Sequence, residues 1–225
     1  MSPGTLTIAL LLAVVVWGLI SRKLTAKPWE PAMADGSVHN DYGALQLPPA
    51  RIAFYALLAV ISSFFLLFMS AYLMRMDPGH GAHDWHVVRE PQILWLNTAL
   101  LILASVAMQG ARHLAARAKR PQLVAALLLG GLLTLAFLGG QVIAWSQMAA
   151  TMPLNHNPAS AFFVLLTALH GLHLLGGLVV WGLSLVRLQT GSSTQSLQLG
   201  VELCSIYWHY LLVVWLLLFT LLLVT

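Results

Sequence analysis

The sequence predicts an all-α, polytopic transmembrane bundle of about six helices. Three observations predict it. Hydrophobic residues make up 59% of the 225-residue chain and charged residues only 8%, whereas soluble domains carry about 25% charged residues. Mean hydropathy is +0.83. Six separate apolar runs approach or exceed the roughly 17–25 residues that a spanning helix needs. A helix satisfies every backbone donor and acceptor within its own segment, which hydrocarbon demands and an open strand does not provide.

The first run, about 4–21, has no basic stretch before it and no small-x-small cleavage pattern before Arg22, Lys23 and Lys27, so it reads as a retained helix rather than a signal peptide. The second runs over about 52–73. The third, about 92–113, opens QILWLNTALL, and the fourth covers about 122–146. The fifth, about 159–187, contains LHGLHLLGG, and the sixth, about 198–224, is centred on YWHYLLVVWLLLF. The segment 22–51 holds Pro28, Pro31, Gly36, Pro48 and Pro49 and reads as irregular. The chain therefore divides into 1–51, an extra N-terminal helix with its cytoplasmic loop, and 52–225, a five-helix membrane domain.

Charge sets the orientation. Arg22, Lys23, Lys27, Arg51, Arg112, Arg117, Lys119, Arg120 and Arg187 all fall on one side of such a bundle, and only Arg75 and Arg89 on the other. The rich side is cytoplasmic by the positive-inside rule, which places both termini outside, periplasmic in a bacterial inner membrane. The excess of basic residues is a topology signal, and nucleic acid is not expected as a partner. Cys204 is the only cysteine, so no intrachain disulfide forms. Trp17, Trp29, Trp95, Trp145 and Trp181 lie mostly near helix ends, where aromatic residues anchor a helix at the membrane interface.

Polar residues inside the runs are the candidate site. His170 and His173 lie one turn apart on one face, flanked by Gly171, Gly176 and Gly177. Glu202 and His209 share a face of the last run, with Tyr207 and Trp208 beside the histidine. A polar group in hydrocarbon is costly and usually faces the bundle interior. Three readings stand: a structural cluster joining the last two helices; ligation of metal or haem b by His170 or His173 with His209; and a proton relay through Glu202. Asn97, Thr98, Ser105 and Gln109 read as helix-contact residues, and Gln141, after two glycines, as part of a close-packed seam. His80, His83 and His86, with Asp77 and Asp84, read as a solvated loop whose spacing fits no closed zinc site. P-loop, GxSxG, HExxH and CxxC patterns are absent from the sequence.

Three stretches, LNTALLILASVAMQGA (96–111), NPASAFFVLLTALHGLHLLGGL (157–178) and ELCSIYWHYLLVVWLLLF (202–219), resemble subunit III of haem–copper oxidases, the cytochrome c and quinol oxidases. The matching positions are Asn97, Thr98, Thr167, His170, Gly171, His173, Gly177, Glu202, Tyr207, Trp208 and His209, and the likeness covers about 52–224. The resemblance implies an accessory subunit of a respiratory terminal oxidase. Such a subunit holds no haem or copper, which lie in subunits I and II. It packs beside subunit I, binds phospholipid and supports proton uptake. Its histidines would then be structural, and Thr167, Gly171 and Gly177 would serve helix contact. Family members have seven helices or five, so an extra N-terminal helix would offer a dock for a further subunit. Three family carboxylates are missing, at the Ile61–Ser62–Ser63 region, Ala144 and Leu212, and Tyr210 replaces a usual phenylalanine. Those losses leave one alternative, a related protein associated with nitric oxide reductase, and His170 or His173 with His209 leave another, an independent haem-b membrane protein.

Overall fold

The computed structural model describes residues 49–76, 92–117, 120–151, 158–189 and 194–224. They form five helices: α1, Pro49–Met76; α2, Ile93–Ala116; α3, Arg120–Thr151; α4, Pro158–Gln189; and α5, Thr194–Val224. All five are long and apolar enough to cross a membrane, which makes this a multi-pass membrane protein. They coincide with the second to sixth expected runs. The first expected run, 4–21, and the loop histidines His80, His83 and His86 lie outside the described residues. The chain divides into two compact units, Met1–Leu57 and Leu58–Thr225. Of the first, the described part is the opening of α1.

Helix starts follow from proline. Pro49, Pro121 and Pro158 each sit in the first turn of their helix, where the missing N–H is no loss and the fixed φ suits the helix. The helices also run further than the apolar runs. α3 continues to Thr151 and α4 to Gln189.

α2 to α5 form a closed ring in which α2 packs on α3, α3 on α4, α4 on α5 and α5 back on α2. Between α2 and α5 the pairing is antiparallel and holds one register along most of both helices. Gln198 Nε2 donates to the Ala115 carbonyl at 3.3 Å. Arg112 meets Glu202 at 3.1 Å, Trp215 Nε1 donates to Thr98 Oγ1 at 3.0 Å, and the rings of Trp95 and Phe219 cross edge to face at 5.0 Å. The core falls into two layers inside the ring. One is built on Leu101, Phe137, Leu174, Leu211 and Trp215, the other on Met108, Leu127, Val201, Cys204 and Trp208. A third cluster brings Ile61, Phe65 and Tyr72 of α1 against Leu166 of α4 and Val214 and Leu218 of α5. The outer faces stay apolar and exposed, as at Phe64, Leu66, Leu67, Val106, Leu132, Leu172, Val179 and Leu217. Such a face suits lipid tails, which are as apolar as leucine.

Two glycine pairs show why small residues stand where they do. In each, the second glycine is filled by a neighbour and the first is not. A Cβ at Gly140 would overlap the Asn97 amide, while none of the space at Gly139 is taken within 4 Å. A Cβ at Gly177 would come within 2.8 Å of Tyr207 Cε1, while Gly176 is again open. Overpacking a filled site of this kind costs about 1–3 kcal/mol. Gly140→Ala and Gly177→Ala should therefore lower stability by that amount, and Gly139→Ala and Gly176→Ala should leave it unchanged or raise it. Unfolding of the purified chain by SDS titration in mixed micelles checks this pairwise contrast.

Candidate functional site: a polar seam inside the helix ring

Indole N–H groups organise the interior. Trp145 Nε1 donates to Thr167 Oγ1 at 2.9 Å, joining α3 to α4. Trp208 Nε1 donates to Thr134 Oγ1 at 2.9 Å, joining α5 to α3. Trp215 Nε1 donates to Thr98 Oγ1 at 3.0 Å, joining α5 to α2. Each threonine then donates its own proton one turn back along its helix: Thr167 to the Phe163 carbonyl at 2.7 Å, Thr134 to Gly130 at 2.8 Å, and Thr98 to Leu94 at 2.8 Å. A hydroxyl has one donor and two acceptor lone pairs, so it can serve its own helix and a neighbour at once. A fourth indole, Trp181, donates directly to the Leu127 carbonyl at 2.8 Å and fills the space beside Gly131.

Trp145 and Trp181, expected as interface anchors, are half-buried five residues from the ends of the apolar spans Arg120–Ala150 and Pro158–Val186, and each gives its N–H to a neighbouring helix. Trp95, near the start of α2, is 61% exposed.

The histidines go to different places. His209 does not meet His170 or His173. Its Nδ1 contacts Ser105 Oγ, and its Nε2 lies 3.1 Å from Gln109 Oε1, both on α2. Ser205 Oγ donates to the same amide oxygen at 3.2 Å, and Gln109 Nε2 lies 3.2 Å from His113 Nε2. Toward the end of α2, Arg112 donates to Glu202 Oε1 at 3.1 Å. The α2–α5 seam is thus graded, with an ion pair at one end, then amide and imidazole, then hydroxyl.

His173 Nδ1 lies 2.7 Å from its own Leu169 carbonyl, and the His173 carbonyl accepts from Tyr207 OH at 3.0 Å. That tyrosine joins α4 to α5. Gly177 makes room for it. A Cβ at Gly171 would meet Leu138 Cδ2 at 3.6 Å, an ordinary contact distance. His170 is fully buried and ringed by Trp215, Phe137 and Phe65 at centroid distances of 5.4, 5.8 and 6.4 Å. Asn97 Nδ2 donates to Gln141 Oε1 at 3.5 Å.

Where carboxylates were expected from the resemblance, the structure has neutral contacts. Ser62 Oγ and Tyr210 OH lie 2.9 Å apart, so the serine of α1 and the tyrosine of α5 are partners. Ala144 is wholly buried in the apolar core. Leu212 packs on the same core.

Thr134 and Trp215 were not singled out in the sequence. The signal for both is spacing: Trp208 and Trp215 are seven apart on α5 and share a face, and each requires an acceptor on a facing helix. Leaving a buried donor unsatisfied costs about 1–3 kcal/mol. Thr134→Val should destabilise the chain by that amount, and so should Trp208→Phe. The double variant should fall short of the sum by about 0.6–1.7 kcal/mol, the range of interhelical hydrogen bonds in membranes. A double-mutant cycle by SDS unfolding checks it.

Comparison with known proteins agrees with this architecture. A sequence model described as cytochrome c oxidase subunit III matches residues 50–224, which takes in nearly all of the described helical residues. Relatives named cytochrome c oxidase subunit 3 include one from Arabidopsis thaliana, 32% identical over 57% of this chain and 48% of its own length. Another, from Branchiostoma lanceolatum, is 31% identical over 63% of this chain and 52% of its own. A third, from Triticum aestivum, is 34% identical over 57% and 48%. The chain thus spans about half the length of the curated relatives it matches. With the family match covering far more than half of the sequence, the chain belongs to the cytochrome c oxidase subunit III family.

Proposed function

We propose that this chain is an accessory, non-redox subunit of a respiratory haem–copper terminal oxidase. In this reading the haem and copper belong to partner subunits I and II. The chain stabilises the catalytic subunit, holds phospholipid against its apolar flanks, and supports proton uptake during aerobic electron transport. The family match over residues 50–224 carries the proposal.

The site geometry supports the non-redox part. A haem between His170 and His209 would have to displace Trp215 or Phe137, which pack directly on the His170 ring. His209 is engaged by Ser105 and Gln109. The packing of His170 among aromatic rings and the bonding of His209 to α2 support a structural role for both.

The reading sets the chain in a bacterial cytoplasmic membrane. Arg112, Arg117, Lys119 and Arg120 cluster where α2 gives way to α3. That junction is the cytoplasmic side by the positive-inside rule, so α5 ends on the periplasmic side. An N-terminal helix over 4–21 would place the other terminus there too and offer a dock for a further subunit.

A mild-detergent pull-down of the tagged chain, with a reduced-minus-oxidised spectrum and a subunit gel, tests the proposal. Haem bands should arrive with a large partner subunit and leave when that subunit is stripped off. Haem retained by the isolated chain would overturn the reading. A deletion strain should grow poorly on oxygen, and a defect confined to denitrifying growth would reassign the chain to a nitric oxide reductase. His209→Leu and His173→Leu should lower the yield of assembled complex and leave the haem spectrum of each assembled complex unchanged.

A further inference from the structure

Four buried side-chain atoms in the ring have no hydrogen-bond partner among the described residues: Asn97 Oδ1, Gln141 Nε2, and both ring nitrogens of His170. Their three side chains are essentially closed off, with exposures of 0%, 1% and 0%. Buried polar atoms are almost always paired with protein or with ordered water, so each such atom calls for an explanation.

The three residues lie in one layer. Asn97 and Gln141 are joined directly. The bonds of Trp145 to Thr167 and of Trp181 to the Leu127 carbonyl set the antiparallel register of α3 on α4. That register puts Gln141 level with His170. Phe137, one turn before Gln141, lies against the His170 ring. Trp215 lies against both His170 and Phe137, and its N–H reaches Thr98, the residue after Asn97. α2, α3 and α4 thus contribute one polar group each to a layer capped by Trp215 of α5.

The donor and acceptor balance selects the ligand. Two side-chain amides that share one N–H···O bond leave one carbonyl and one amino group, whichever way each is turned. A neutral imidazole adds one donor and one acceptor, whichever nitrogen carries the proton. The unpartnered set is therefore two donor atoms and two acceptor atoms. A cation would face the N–H groups and an anion the lone pairs. A water molecule both donates and accepts, so it can serve atoms of both kinds. We infer that Asn97, Gln141 and His170 hold buried water at the centre of the helix ring, as an integral part of the fold. Internal waters of this kind make about three hydrogen bonds to groups that otherwise lack partners.

Solid-state NMR of the full chain in lipid bilayers, with labelled histidine and leucine, tests this by polarisation transfer from water protons. The His170 ring signals, assigned by their loss in His170→Phe, should build up from water. The side-chain signals of Leu174, equally buried one turn along α4, should not. Asn97→Leu with Gln141→Leu should abolish most of the His170 build-up. Native His170 without transfer from water would overturn the inference, whether or not the double variant folds. A double variant that folds and keeps the full transfer would also overturn it.

Discussion

Everything inside the ring depends on where an indole N–H finds its acceptor. Hydrocarbon contains no water to accept that proton, so a neighbouring helix must supply the acceptor. For Trp181 it is the Leu127 carbonyl, and for Trp145, Trp208 and Trp215 it is a threonine hydroxyl. Its proton goes to a carbonyl one turn back, and its remaining lone pairs face the neighbouring helix. Three such bridges link α2, α3, α4 and α5. Because an indole is large and rigid, settling its N–H also settles its ring, and hence the depth and rotation of the helix that carries it.

The small residues follow from those rings. Gly131 accepts the body of Trp181, and Gly177 the rings of Tyr207 and Trp208. Gly140 admits the Asn97 amide, which reaches Gln141 only because no Cβ intervenes. Aromatic residue and glycine are two halves of one contact. In hydrocarbon, association rests on close packing and interhelical hydrogen bonds, and these contacts combine both.

The polar groups on the α2–α5 seam are ordered by depth. The ion pair Arg112–Glu202 stays half-exposed near the helix ends, where its charges remain partly solvated. Neutral groups follow inward: Gln109 with Ser205 and His209, then Ser105, then Thr98 with Trp215. A seam graded in this way holds two helices in a single register without burying a charge. The flanks facing outward are apolar and featureless by contrast. An interior locked by neutral bonds and an apolar exterior suit a helix bundle that sits in lipid.

Much of this was readable beforehand. Length and apolarity alone located the five described helices, because the bilayer imposes both. The pattern from His170 to Gly177 and the run from Glu202 to His209 marked the family, since they stand out against an apolar background. Partners were another matter. Periodicity tells which residues share a face but not which helix that face meets, so His209 looked like a companion of His170 and proved to belong with Ser105 and Gln109. Trp145 and Trp181 looked like interface anchors because the apolar runs ended near them. What periodicity did not show is that each gives its indole N–H to a neighbouring helix. The sequence by itself determined that the chain crosses a membrane as helices, where those helices lie, and which polar residues they carry inside. Only the tertiary structure decided which threonine receives which indole, which glycine of each pair is filled, and that His170, Asn97 and Gln141 share one layer. Those are contacts between segments far apart in the chain, settled by shape and hydrogen-bond balance rather than by any local pattern.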